Sequence, residues 1–187
     1  MFHVKHLLQE GLKELKITTV EEKLDKLIVY IGELLRWNEK INLISRDLTK
    51  EDIVKKLILP SLIPHRLILP KEHILDFGAG AGIVGIPLSI FKSETSFTFL
   101  ESKTKPITFL RHIRNILSID IEILHKFIDP QEGLTMRYNS ILVRGVDPES
   151  VPPGIGKKLI YYGEYRGDKL KIKSSLGWKN YKVSVLS

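Results

Sequence analysis

Four glycines fall within eight residues, Gly78-Ala-Gly80-Ala-Gly82-Ile-Val-Gly85, between a short apolar run and an apolar helical pattern. The run before them, His73–Phe77, reads as a strand, and residues 83–91 read as a helix leaving the turn. Glycine lacks Cβ, so such a turn bends sharply and lets a ligand approach the main chain. A strand that feeds a helix through a bare turn belongs in a parallel sheet. The rest of this half keeps the same rhythm. Residues 96–101 (SFTFLE) form a second strand, 105–117 a second helix, 119–124 a third strand and 140–143 a fourth. Alternation at this spacing predicts a parallel sheet with helices packed on its faces. Beyond it, 157–162, 169–173 and 181–186 read as three more strands. Their connections, 163–168 and 174–180, are too short for a crossover helix, which predicts antiparallel hairpins closing the sheet.

Residues 1–65 are different: they are helical and carry no glycine-rich turn. Val20, Leu24, Leu27, Ile28, Ile31, Leu34 and Leu35 make one apolar stripe at spacings of three and four. Thr19 with Glu22 three residues later has the pattern of a capping box. A helix over about 3–15 precedes it, and another over 49–58 stops before Pro60. Pro60, Pro64 and Pro70 mark a connector. The expected organisation is a helical region, 1–65, followed by a sheet domain, 66–187.

Of 187 residues, 29 are Lys or Arg and 22 are Asp or Glu, a formal charge of +7. Such a surplus points to a polyanionic partner, with nucleic acid against an inert basic surface. There is no cysteine, no apolar stretch of membrane length and no apolar signal segment at the N-terminus. A cytoplasmic protein without a membrane partner is expected. The six histidines show no metal-ligand spacing and no grouping with carboxylates, so no metal site is expected.

The glycine turn admits two ligands. Gly80, Gly82 and Gly85 spell the dinucleotide fingerprint, which sets a pyrophosphate on a helix N-terminus. Asp76 argues the other way. A carboxylate two residues ahead of the first glycine suits a cationic donor such as S-adenosylmethionine and disfavours a nearby pyrophosphate. Glu101 ends the next strand, where its carboxylate can accept both ribose hydroxyls of either cofactor. A phosphate-binding loop is excluded because no glycine precedes Lys-Ser/Thr at the required spacing.

Three stretches carry a family resemblance: LLRWNEKINLISR (34–46), LDFGAGAGIVGIPL (75–88) and FTFLESKTKPITFLR (97–111). Together they resemble the bacterial small-subunit ribosomal RNA guanine-N7 methyltransferases, the RsmG (formerly GidB) family, over about residues 20–145. The resemblance implies a Rossmann-like α/β fold: a sheet of about seven strands, the last antiparallel, behind a small helical N-terminal region. It also implies an S-adenosylmethionine-dependent enzyme, working as a monomer on 16S rRNA or the small subunit. Carried over, Gly78, Ala79, Gly80 and Gly82 line the donor and Glu101 with Ser102 holds its ribose. Phe127 and Ile128 flank the adenine, Ile128 replacing the usual acidic residue. Arg144, beside the transfer centre, is the expected catalytic residue. Asn42, Ser45 and Arg46 approach the same mouth, and Lys105 and Arg111 offer phosphate contacts. Trp37 is expected to pack the helical region onto the sheet, and Trp178 and Tyr181 to pack the last hairpin.

The sequence departs from the family at Lys55-Lys56, at Pro60 in place of an Asp, and at Tyr162-Gly163 in place of Lys-Gly. The helix expected after the fifth strand is missing. Three functions therefore stand open: the guanine-N7 methyltransferase, a non-catalytic donor- or RNA-binding relic, and a dinucleotide-dependent oxidoreductase. Guanine N7 keeps an unprotonated lone pair at neutral pH, so the first needs no general base, and the sequence shows no Ser/His/Asp constellation.

Overall fold

A computed structural model describes residues 2–128 and 138–187 of the chain. Seven strands form one sheet in the order β3-β2-β1-β4-β5-β7-β6. They are β1 His73–Phe77, β2 Ser96–Glu101, β3 Ile121–His125, β4 Tyr138–Val143, β5 Gly156–Tyr162, β6 Ile172–Trp178 and β7 Tyr181–Leu186. The first five in sequence pair in parallel, while β7 runs antiparallel to both β5 and β6. Strand order reverses between β1 and β4. In open α/β sheets the crevice beyond such a switch point is where ligands bind.

The helices are α1 Phe2–Glu14, α2 Glu21–Asn38, α3 Lys50–Asp52, α4 Leu59–Ser61, α5 Gly85–Phe91 and α6 Thr104–Leu117. Alternate strand residues face opposite layers. Ile74 joins a core built with α1, α2, α5 and α6, whereas Leu75 and Phe77 join a second core with Ile141, Val143, Ile155 and Tyr165. Among the described residues, all the helices that contribute to the cores pack on the first face. On the second, loop residues such as Val146, Val151, Ile155 and Leu170 provide cover. The helical region therefore shares its core with the sheet. Tyr30 of α2 is fully buried there, and its hydroxyl donates to the Ala81 carbonyl at 2.9 Å.

Several local expectations change. α2 begins at Glu21 with no side-chain cap, because the Thr19 hydroxyl donates to the Val20 carbonyl instead. Two acidic residues in the first turn, Glu21 and Glu22, complement its dipole. The capping box lies at Thr49–Asp52, where each side chain accepts the other's amide. The helix that starts there does not stop before Pro60. It widens to a π-helix over Ile53–Ile58, with the Leu59 amide donating five residues back to Val54, and continues as α4 through Pro60. A proline ring clashes with the carbonyl four residues earlier in α geometry, and a π turn relieves that contact.

The sixth strand lies at 172–178 rather than 169–173, and most of the expected 174–180 connection is strand. A two-residue turn, Lys179-Asn180, sets the register by pairing Trp178 with Tyr181. Most of β6 is exposed on both faces, so its sequence has no buried alternation to reveal it. Trp37 packs against the core that the helical region shares with the sheet, with its ring edge-on to Phe109 of α6 at 5.6 Å.

Candidate functional site

The glycine turn leaves β1 at the switch point, beside the ends of β2 and β4. Gly80 has φ +55°, and a Cβ added there meets nothing nearer than the Gly78 carbonyl at 4.0 Å, so open space lies over its main chain. Its amide donates to Glu101 Oε2 at 2.9 Å. The other Glu101 oxygen accepts the Lys103 amide at 2.8 Å. The Ser102 hydroxyl also donates to that second oxygen, at 3.5 Å, so of the carboxylate's about four lone-pair sites one remains for a ligand's hydroxyl.

Gly78, Glu101, Ser102, Phe127 and Ile128 line one cavity of about 270 Å³ that Val146 completes. Five of the donor-site residues expected from sequence are thus brought together. Phe127 is 74% exposed at its rim, and Ile128 is buried. Ala79 is also buried and donates its amide to the Leu100 carbonyl at 2.9 Å. Gly82 faces away from that space, since a Cβ there would meet Ile86 at 2.6 Å and Leu110 at 2.9 Å.

Asp76 lies behind the turn. It is 3% exposed and accepts the Gly85 amide at 2.9 Å. Burial pushes its carboxyl up to about 7; the Gly85 amide opposes this, the charge of Glu101 adds to it and Arg144 counters it. The carboxylate thus occupies the N-terminus of α5, where a dinucleotide's pyrophosphate would have to sit.

Arg144 follows β4 directly. Its guanidinium pairs with neither Asp76 nor Glu101, the salt-bridge partners expected of a purely structural arginine. It donates to the Leu57 carbonyl at 3.2 Å and the Lys56 carbonyl at 3.0 Å. Lys56 is the residue whose carbonyl would accept from position 60 in an α-helix, and Pro60 has no N–H to give. Burial shifts Arg144 below its ordinary range, countered by the nearby Tyr162, Tyr181, Tyr30 and Asp76. Three of its five donors have no partner among the described residues.

Arg144 lines a second cavity of about 350 Å³ with Pro60, Tyr162, Glu164, Asn180 and Tyr181. Val146, two residues on, lines the first, so the cavities flank the end of β4. The sequence reading left Tyr162, Glu164, Asn180 and Tyr181 outside the site. The one signal for them was Tyr162-Gly163 standing where the family carries Lys-Gly. Asn42, Arg46, Lys105 and Arg111 are all exposed, and none lines either cavity. Asn38 rather than Asn42 organises the end of α2, accepting the Leu43 and Ile44 amides at 2.8 and 3.0 Å.

His112 does meet a carboxylate. Its Nε2 is 2.6 Å from Glu33, which Arg36 also pairs. Burial raises the Glu33 carboxyl, but the bonds to His112 and Arg36 outweigh it and hold the group below its ordinary value. Among the described residues, no three His, Cys, Asp or Glu side chains group to hold a metal ion. No helix among them is long and apolar enough to cross a membrane.

The family model for rRNA small subunit methyltransferase G (GidB) matches residues 23–176. The ribosomal RNA small subunit methyltransferase G of Aquifex aeolicus is 31% identical over 97% of this chain and 93% of its own length. That of Syntrophus aciditrophicus is 34% identical over 66% of this chain, which spans only 52% of that relative. A putative protein-L-isoaspartate O-methyltransferase from Plasmodium falciparum has a similar fold: TM-score 0.52, 20% identity, 92% of this chain and 87% of that one. The sheet order, the turn sequence and these matches agree, and the chain belongs to the rRNA small subunit methyltransferase G family.

Proposed function

We propose that this protein transfers a methyl group from S-adenosylmethionine to N7 of a guanine in 16S rRNA, acting on the RNA or the small ribosomal subunit as a cytoplasmic monomer. The relatives' name supports the reaction class. The Plasmodium structure, described as a complex with S-adenosyl-L-homocysteine, supports the donor. The observation that carries the reading is the open space over Gly80 beside the Glu101 carboxylate, which itself lines the neighbouring cavity with its apolar far end.

Those features fit the donor's parts. The main chain of Gly78, Ala79 and Gly80 receives its amino-acid end, Glu101 with Ser102 takes the ribose, and Phe127 with Ile128 sandwiches the adenine. Asp76 and Gly82 act from behind, fixing the shape of the turn. When bound, the donor supplies an electrophilic methyl: the N7 lone pair forms the new bond as the C–S bond breaks onto sulfur, and no proton moves. The protein's task is then orientation and field. Restricting two reactants to a near-attack pose contributes several kcal/mol, up to ~7–11 in the best cases. Arg144, held on two helix carbonyls, fixes a positive charge between the cavities. Asn42, Arg46, Lys105 and Arg111 serve as phosphate contacts, which position RNA without reading its sequence.

Labelled S-adenosylmethionine incubated with unmodified small subunits and with naked 16S rRNA tests this. Transfer to one guanine, recovered as 7-methylguanine, is expected. Donor binding with no transfer to either substrate would instead support the relic reading. NADH bound in preference to S-adenosylmethionine would overturn both.

A further inference from the structure

The second cavity belongs to neither the donor nor the phosphate contacts assigned above. About 350 Å³ is at the lower end for small-molecule sites, enough for one flat base rather than a stretch of strand. Its wall is unusually well fixed. The Tyr181 ring lies near-parallel to Trp178, centroids 6.3 Å apart at 21°. Trp178 Nε1 in turn donates to Glu14 of α1 at 3.0 Å, tying the hairpin to the helical region. On the polar side, Glu164 accepts from Arg166 at 3.1 Å and Lys182 at 3.3 Å. Those two cations hold its carboxyl below the ordinary range, so at neutral pH it is acceptor-only with lone pairs to spare.

A purine whose edge presents two adjacent donors and a neighbouring acceptor matches this set. Guanine offers N1–H and the 2-amino group beside O6, while adenine puts an acceptor at N1. We propose that this cavity is the acceptor site, where a single guanine splayed out of the RNA stacks on Tyr181, with Glu164 accepting from N1–H and the 2-amino group and a free Arg144 donor meeting O6. The inference rests on the methyltransferase reading and adds to it the residues that choose the base. It also requires the target to be unpaired: N7 in an A-form duplex lies in a deep, narrow groove that side chains do not enter.

The test compares the unsubstituted protein with Glu164→Ala and Tyr181→Ala, using RNA that carries either guanine or inosine at the methylated position. Inosine keeps N7 and O6 but lacks the 2-amino donor. The wild type is expected to prefer guanine by about tenfold in kcat/KM, and Glu164→Ala, an exposed position, to lose that preference. Tyr181→Ala should raise KM for RNA by about 10- to 100-fold, with Tyr181→Phe near wild type. Donor affinity, measured by calorimetry, should be unchanged in all three. An active wild type whose guanine preference survives Glu164→Ala, or whose KM survives Tyr181→Ala, would overturn the acceptor site and leave the methyltransferase reading standing. A wild type that binds donor and methylates nothing would overturn that reading, and the acceptor site with it.

Discussion

The carboxyl of Asp76 has been moved out of water, and that makes it a pH-dependent element of stability. Its pKa is raised to about 7 in the folded chain, chiefly by burial, against 3.8 for the free group. The folded state therefore holds this proton more tightly than the unfolded state. The stability it supports is fully present below about pH 4 and is lost as pH rises through 7, by up to about 4 kcal/mol. Asp76→Asn keeps an oxygen for the Gly85 amide without the buried charge. Thermal melts between pH 4 and 8.5 should show the wild type losing ground that this variant keeps; parallel curves would show that the carboxyl is not the cause. At Gly80 the expectation concerns binding. Gly80→Asp sets a second negative charge beside Glu101 in the open space, and should weaken S-adenosylmethionine by about 100-fold or more, roughly 3 kcal/mol. Calorimetry reads this directly, and unchanged affinity would place the donor elsewhere.

Between elements, the connections that matter are single polar contacts inside apolar packing. Tyr30, fully buried, carries one from α2 to the glycine turn through its hydroxyl's bond to the Ala81 carbonyl. Tyr30→Phe keeps the ring against Phe109, 6.3 Å away, and removes only the bond. A buried carbonyl left without its partner costs about 1–3 kcal/mol. Urea unfolding should show that loss with an unchanged slope; a shift under a few tenths would mean the turn holds its shape without α2. The passage from the π-helix through Pro60 works in the same way. Pro60 leaves the Lys56 carbonyl without an α-helical partner, and Arg144 supplies the donor from the end of β4.

At the scale of the whole molecule, residues 1–65 are not an appendage. Leu8, Leu12, Leu27, Leu34 and Ile58 are fully or almost fully buried in the same core as Ile74, Phe99 and Leu110 of the sheet and its helices. Trp178 and Lys179 of the last hairpin reach back to Glu14. Removing residues 1–65 would bare that face of the sheet to water, at about 25 cal/mol for each Å² exposed. The fragment 66–187 should show no cooperative melt in near-UV circular dichroism and no binding of S-adenosylmethionine. A fragment that melts cooperatively and binds would show the sheet to be self-sufficient.

The sequence by itself determined what local chemistry and periodicity encode. The strand–glycine turn–helix around Gly80, the parallel β1 to β4 with their helices, and the α2 stripe from Leu24 on were legible, because a buried stripe or a bare turn leaves its mark within a dozen residues; Val20, read into that stripe, is instead an exposed N-cap. The capping of α2, the course of the chain through Pro60 and the place of β6 were not. In each, the deciding partner is distant or the strand is exposed, so no local pattern exists to read. The site divided along the same line. The residues around Gly78 and Glu101 announced themselves by their place at strand ends and Phe127 through the family resemblance, whereas Tyr181 and Glu164 met Arg144 only in three dimensions. The edge hairpin brings its turn to the Arg144 cavity by pairing β7 with β5, and Trp178 ties it to Glu14 of α1, some 160 residues earlier. That contact belongs to packing between remote elements, and only the tertiary structure decides it.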